Sequence, residues 1–222
     1  MSQHSRDHTW NPWPGWSTIS SGNDDSFTIW LTGLPGTGKS ILAHLVKKAL
    51  MARGYKVEII DSQTLPHWLK HELHIEDDIR EERGHVPGYD AFITYICALL
   101  ARNGIITITV SPYQEARTNA REQIPHFIEV YLHCSAALRR KRLEQQELAP
   151  GIAEYKYQPS TNTELNIDTN LEPLERSALR ILAHLEQCGH VAPIWEGSNT
   201  AGSDEEEIEL VKARLQILGY LE

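Results

Sequence analysis

Three cysteines in 222 residues, none of them in a Cys-x-x-Cys pair, give no disulfide framework. Cys97, Cys134 and Cys188 are unevenly spaced in apolar segments and read as buried free thiols of a reducing compartment. No uninterrupted apolar stretch approaches the roughly 20 residues of a membrane span, and the N-terminus has no apolar signal core. The expectation is a cytoplasmic protein with no membrane partner. Positive charge is scarce as well: 21 Lys and Arg face 30 Asp and Glu, a formal net charge of -9. That balance argues against a nucleic-acid polymer as ligand, because neutralising its phosphates needs a basic face. A local Lys/Arg cluster can still hold a small phosphorylated ligand. Repeats and low-complexity tracts are lacking too. What is present is 41% hydrophobic residues, enough for the core of one medium domain with tails.

The most informative stretch is residues 27–53, FTIWLTGLPGTGKSILAHLVKKALMAR. Within it Gly33-Leu34-Pro35-Gly36-Thr37-Gly38-Lys39-Ser40 fits G-x-x-x-x-G-K-[ST], the phosphate-binding P-loop. Glycines let successive N–H groups turn inward on phosphate oxygens, and a helix starting near Lys39 adds the positive end of its dipole. Lys39 is expected to reach the terminal phosphates and Ser40 to hold Mg²⁺. Phe27, Ile29, Trp30 and Leu31 suit a buried strand before the loop. Ile41, Leu42, Leu45, Val46, Ala49 and Leu50 recur at helical spacing after it. No Asn-Lys-x-Asp segment is there to read a guanine base, and no apolar strand ends in a paired Asp-Glu. A GTPase and an ATPase machine are both disfavoured.

Residues 1–25 are rich in Ser, Asn, Gly, Pro and Trp without periodicity. Trp10, Trp13 and Trp16 are costly to leave in water and are expected to pin this tail to the domain or to a partner subunit, which leaves a homodimer open. Gly54 stops the first helix, and residues 57–60 give a second strand ending at Asp61. Ligands of open α/β sheets bind at the carboxyl ends of parallel strands, which makes Asp61 a candidate catalytic carboxylate. His67, His71 and His74 share one face of a helix over 65–73, but nothing is spaced to complete a zinc set. Residues 76–83 are a charged run containing Arg80 and Arg83. A helix over 89–102 is expected to turn Phe92, Ile93, Ile96, Leu99 and Leu100 inward. A strand over 105–110 leads to Ser111-Pro112-Tyr113, and a helix over 114–123 carries Arg117 and Arg121 on one face. There follow a strand over 127–132, a helix over 135–146 with the basic cluster Arg139, Arg140, Lys141 and Arg142, and a lid-like stretch over 147–163. A short strand over 165–167 with Asp168 and a helix over 173–187 complete the alternation. Strands joined by right-handed helical crossovers predict an α/β, P-loop NTPase fold, a five-stranded parallel sheet with helices on both faces.

With these residues placed, the chain resembles the adenylylsulfate kinases over about residues 10–190. The resemblance rests on TIWLTGLPGTGKS, on Ser111-Pro112-Tyr113 with Arg117 and Arg121, on PHFIEVYLHCSAALRRKR, and on TELNIDTN followed by EPLERSALRIL. It implies an enzyme of sulfate assimilation that uses ATP with Mg²⁺ to phosphorylate the 3′-hydroxyl of adenosine 5′-phosphosulfate (APS), giving PAPS. It also implies that Arg80, Ser111, Pro112, Tyr113 and Arg117 line the APS site, and that the helix bearing Arg142 lies near the ATP base. The chain departs from the family after its second strand. Where the family reads Asp-Gly-Asp-x-x-Arg, this chain reads Asp61-Ser62-Gln63-Thr64-Leu65-Pro66. Gln63 replaces the aspartate assigned to the base and magnesium role, and Pro66 the arginine that grips substrate. Ile75 replaces a stacking aromatic, Arg83 an asparagine, and the lid pattern Asp-Pro-Lys-Gly-Leu-Tyr-Lys-Lys is missing. Two alternatives therefore stay open: a kinase for another hydroxylated metabolite, and a non-catalytic nucleotide-binding paralogue acting as regulator or scaffold. The expected organisation is a Trp-containing tail over 1–25, a kinase domain over 26–190, and a linker with an amphipathic helix over 191–222, whose stripe is Ile208, Val211, Leu215 and Leu218.

Overall fold

The computed structural model describes residues 26–61, 67–72, 87–111, 114–145, 159 and 161–193. The apolar run before the phosphate loop forms strand β1 (Thr28–Thr32), all of it buried. After it come α1 (Lys39–Ala52), β2 (Val57–Asp61), α2 (His67–Glu72), α3 (Pro87–Ala101), β3 (Ile106–Val110), α4 (Gln114–Gln123), β4 (Phe127–His133), α5 (Ala136–Gln145), β5 (Leu165–Asp168) and α6 (Leu174–Gln187). The strands form one sheet in the order β2-β3-β1-β4-β5, with every neighbouring pair parallel. This is the five-stranded architecture that the alternation of strands and helices predicts. Register aligns Leu31 with Val110 and Val130, and Asp61 with Val110. The phosphate loop, Asp61, Ser111 and the end of β4 consequently emerge along one edge.

The pleat sorts side chains onto two faces. Ile29, Leu31, Ile108, Val130, Leu132 and Ile167 pack with Leu42, Val46 and Leu50 of α1 and with Ile181, Leu182 and Leu185 of α6. An ion pair at 2.8 Å between Arg53, just past α1, and Glu186 of α6 ties these two helices together. Trp30 and Phe127 point the other way, their rings 5.5 Å apart, and pack with Ile93, Cys97 and Ala98 of α3 and Ala116 and Ala120 of α4. This second face also carries polar groups, which find partners: Thr28 and Thr107 hydroxyls lie 2.7 Å apart, and Cys97 Sγ lies 3.3 Å from Thr109 Oγ1.

Two expectations are corrected here. In α3 the buried residues are Ile93, Thr94, Cys97, Ala98 and Ala101; Phe92 is half-buried and packs against this core as expected, whereas Leu99 is 38% exposed and Ile96 and Leu100 are half-buried. A helix that is apolar on every side gives periodicity no face to choose, and the sheet accepts the face with smaller side chains. The cysteines are free, but only Cys97 is buried; Cys134 is half-buried and Cys188 exposed. No helix among the described residues is long and apolar enough to cross a membrane. The Trp-bearing tail, the amphipathic helix expected near the C-terminus, Gln63, Pro66, Ile75, Arg80, Arg83, Pro112, Tyr113 and most of the lid-like stretch lie outside the described residues.

Candidate active site

Close packing dictates the glycines of the phosphate loop. A Cβ on Gly33 would lie 2.1 Å from the Leu132 carbonyl oxygen of β4, and one on Gly36 would lie 3.0 Å from the Arg139 carbonyl oxygen of α5. Both residues also have φ in the region that L side chains avoid, 140° and 80°. The loop thus fits tightly between β4 and α5. Inside it, Thr37 Oγ1 donates to Leu34 O at 2.8 Å, and the Thr37 N–H donates to the same oxygen at 3.4 Å. Lys39 opens α1 and its Nζ donates to Gly33 O (2.8 Å) and Leu34 O (2.9 Å). Burial lowers the Lys39 pKa to about 8; Asp61 and Cys134 oppose that shift, and Arg139 adds to it.

Beneath the loop, Ser40 Oγ donates to Asp61 Oδ2 at 3.1 Å. The helix N-terminus supplies the hydroxyl and the end of β2 the carboxylate, which is only 6% exposed. Hydroxyl and carboxylate oxygens are the hard donors that Mg²⁺ accepts together with phosphate oxygens and water. Among the described residues no group of three or more His, Cys, Asp or Glu could hold a metal ion. A metal at Ser40 and Asp61 would therefore lean on the nucleotide's own phosphates.

On the outer side of the loop, Arg142 of α5 donates from Nη1 to Gly36 O (3.3 Å) and Thr169 Oγ1 (3.0 Å), and from Nη2 to Thr169 O (3.2 Å). Thr169 Oγ1 lies 3.2 Å from Thr37 O. Nothing in the sequence singles out Thr169, the residue after β5, since a lone threonine at a strand end has no pattern.

Ser111, buried at the end of β3, donates its N–H to Leu31 O at 3.2 Å. Arg117 of α4 is buried, with Nε 3.1 Å from Glu129 Oε1 and Nη1 donating to Thr32 Oγ1 at 3.1 Å. One turn on, Arg121 holds both Glu164 oxygens at 2.6 and 2.9 Å and Glu129 Oε2 at 3.3 Å. Glu129 is a carboxylate in a sheet face, 1% exposed, and these two guanidinium groups offset the cost of its burial. Helical spacing places both arginines on one face. It cannot reveal Glu129 as their partner, because a single acid in an apolar strand carries no periodic signal. Of the residues that the sequence assigns to the site, Gly33 to Ser40, Asp61, Ser111, Arg117 and Arg142 thus gather around the loop and the strand ends flanking it. Arg80, Pro112 and Tyr113 lie outside the described residues.

A model of the adenylylsulphate kinase family matches residues 25–167. The probable adenylyl-sulfate kinase of Pyrococcus abyssi (strain GE5 / Orsay) is 32% identical over 178 residues, which cover 75% of this chain and 99% of that protein. The probable bifunctional SAT/APS kinase 2 of Sorangium cellulosum (strain So ce56) is 34% identical over 176 residues, 74% of this chain but 29% of that protein; the chain spans less than a third of its length. Among solved structures, the Mycobacterium tuberculosis APS kinase in complex with AMPPNP and APS superposes with a TM-score of 0.58 at 25% identity, covering 72% of this chain and 98% of that one. The family match runs from ahead of β1 into β5 and takes in the whole phosphate loop, and the chain belongs to the adenylylsulphate kinase family.

Proposed function

We propose that this protein transfers the γ-phosphoryl group of ATP to the 3′-hydroxyl of adenosine 5′-phosphosulfate, giving PAPS. The observation that carries the reading is the Ser40–Asp61 bond of 3.1 Å beneath a loop armed with Lys39, in a chain of this family. Phosphoryl transfer passes through a loose transition state, in which positioning and electrostatic stabilisation dominate over covalent chemistry. Loop N–H groups and Lys39 would hold the β- and γ-phosphates, and Ser40 and Asp61 are the residues that would hold the Mg²⁺ that accompanies ATP. Bound there, the ion would supply charge neutralisation for the transferring phosphoryl group. Arg142 serves the nucleotide side. Arg80, Ser111, Pro112, Tyr113 and Arg117 serve the acceptor side. Support for that side comes from Ser111 and Arg117, which fix the end of β1 next to the loop through Leu31 O and Thr32 Oγ1.

With Gln63 in place of an aspartate, Asp61 is the carboxylate left to take the acceptor's proton, through a water. An amide cannot do this, and general-base help is typically worth about 10² to 10⁴ in rate. The expectation is slow but measurable formation of PAPS from APS and ATP, lost in Asp61→Asn. Product identification by mass spectrometry and calorimetry with APS in the presence of Mg·ADP test it. If APS neither reacts nor binds, the reading gives way to another acceptor or to a non-catalytic paralogue.

A further inference from the structure

We infer that Thr169 is a positioning residue for the nucleotide, acting through the backbone of the phosphate loop. The inference rests on the reading of that loop as the ATP site and adds to it a residue that touches no substrate. Its geometry is specific. Thr169 is buried, 3% exposed, and its hydroxyl accepts from Arg142 Nη1 at 3.0 Å. The hydroxyl has one proton to give and two carbonyl oxygens in reach, Thr37 O at 3.2 Å and His133 O at 3.4 Å. Thr37 O is the nearer of the two and takes the proton, while His133 O accepts the Thr169 N–H at 2.9 Å.

Two consecutive loop carbonyls are thereby held from outside: Gly36 O by Arg142 and Thr37 O by Thr169. A trans peptide is planar, with its C=O and N–H pointing in opposite directions. Anchoring the Gly36 carbonyl outward aims the Thr37 N–H inward, where it meets Leu34 O across the loop. Anchoring the Thr37 carbonyl outward aims the Gly38 N–H inward in the same way. These are donors of the kind that a phosphate-binding loop offers to its anion, the Thr37 N–H exchanging its long 3.4 Å bond to Leu34 O for a phosphate oxygen. The outer bonds make the inner donors converge without the nucleotide having to order them, and this preorganisation is what Thr169 contributes. Arg142 is the second half of the same brace, since Thr169 holds its guanidinium by both hydroxyl and carbonyl.

Thr169→Val keeps the shape of the side chain and removes the hydroxyl. Calorimetry with Mg·ADP should show a dissociation constant raised about tenfold, the loss expected for hydrogen bonds that involve a charged partner. In steady state the KM for ATP should rise while that for APS stays within about twofold, and Thr169→Ser should restore binding to near the parent value. In a cycle with Arg142→Met, the double variant should bind little worse than either single one, because both changes cut the same brace. If Thr169→Val does not fold, Thr169→Ala, which also lacks the hydroxyl, must show the same selective loss of Mg·ADP affinity. Parent-like ADP affinity in Thr169→Val, equal weakening in Thr169→Ser, or parallel loss for both substrates would overturn the inference. A parent protein that binds no Mg·ADP would instead overturn the nucleotide reading itself.

Discussion

Lys39 has an ammonium group whose pKa is only about 8, because burial disfavours its charge. Phosphate oxygens beside it favour the charged form, so binding must raise that pKa. The sign follows. At pH 6.5 Lys39 is protonated before and after binding and no proton moves; at and above about pH 8 the free protein has partly lost the proton and binding takes one up. Affinity for Mg·ADP should fall as pH rises through 8. Calorimetry at pH 8.5 in two buffers of different ionisation enthalpy should show this uptake, and buffer-independent heats would assign the pKa elsewhere. Restoring a carboxylate by Gln63→Asp should raise the turnover of APS, by up to about 10²-fold if a base is what the chain lacks. No change would mean that Pro66 limits acceptor grip, and Gln63→Asp with Pro66→Arg then separates kcat from KM.

Among the elements, α6 shows how far local pattern reaches. Ile181, Leu182 and Leu185 are at most 3% exposed and close one sheet face together with α1. Leu185→Ala should cost about 2–5 kcal/mol in urea unfolding, while Leu171→Ala, at a site 84% exposed, should stay within about 0.5 kcal/mol. Equal effects would mean that α6 is not part of the cooperative core. Helices and strands were legible where one period dominated: α4 coincides with the predicted helix, and β2 ends on Asp61 as expected. The buried face of α3 was not legible, for its residues from 91 to 101 are apolar nearly throughout and only contact with the sheet decides which of them turn in. Within the site, the loop could be read because its chemistry is contiguous. Glu129 and Thr169 could not, since each gains its role from a partner distant in sequence.

For the whole molecule, acid should be the first stress to matter. The His190 ring lies tilted 5.3 Å from that of Phe27 and edge-on 5.4 Å from that of His126, where burial first, then His126 and His184, hold its pKa below the ordinary 6.5. The unfolded chain takes that proton near pH 6.5 and the folded one only lower. The contribution of neutral His190 is therefore complete above 6.5 and is lost as pH falls. Burial alone would raise the Glu164 pKa, but its bonds to Arg121 and to the Glu129 N–H prevail and set it below 4.5; its contribution is complete above 4.5 and is lost below that. The urea midpoint should be level near pH 7, decline from about 6.5, and decline again below 4.5. His190→Gln should remove the first decline, and a variant that keeps it would point to another group.

The central place of β1 has one more consequence, in the order of synthesis. Thr28 and its partner Thr107 are 79 residues apart in the chain. At about 5–20 residues per second, translation makes β1 roughly 4–16 s before β3, and β4 later still. For that time an uncharged, β-prone TIWLT segment lacks both of its partner strands, the kind of exposure that invites pairing with other chains. The strand that carries the phosphate loop is the first of the five to be made, yet it gains its second neighbour only when the fourth has left the ribosome.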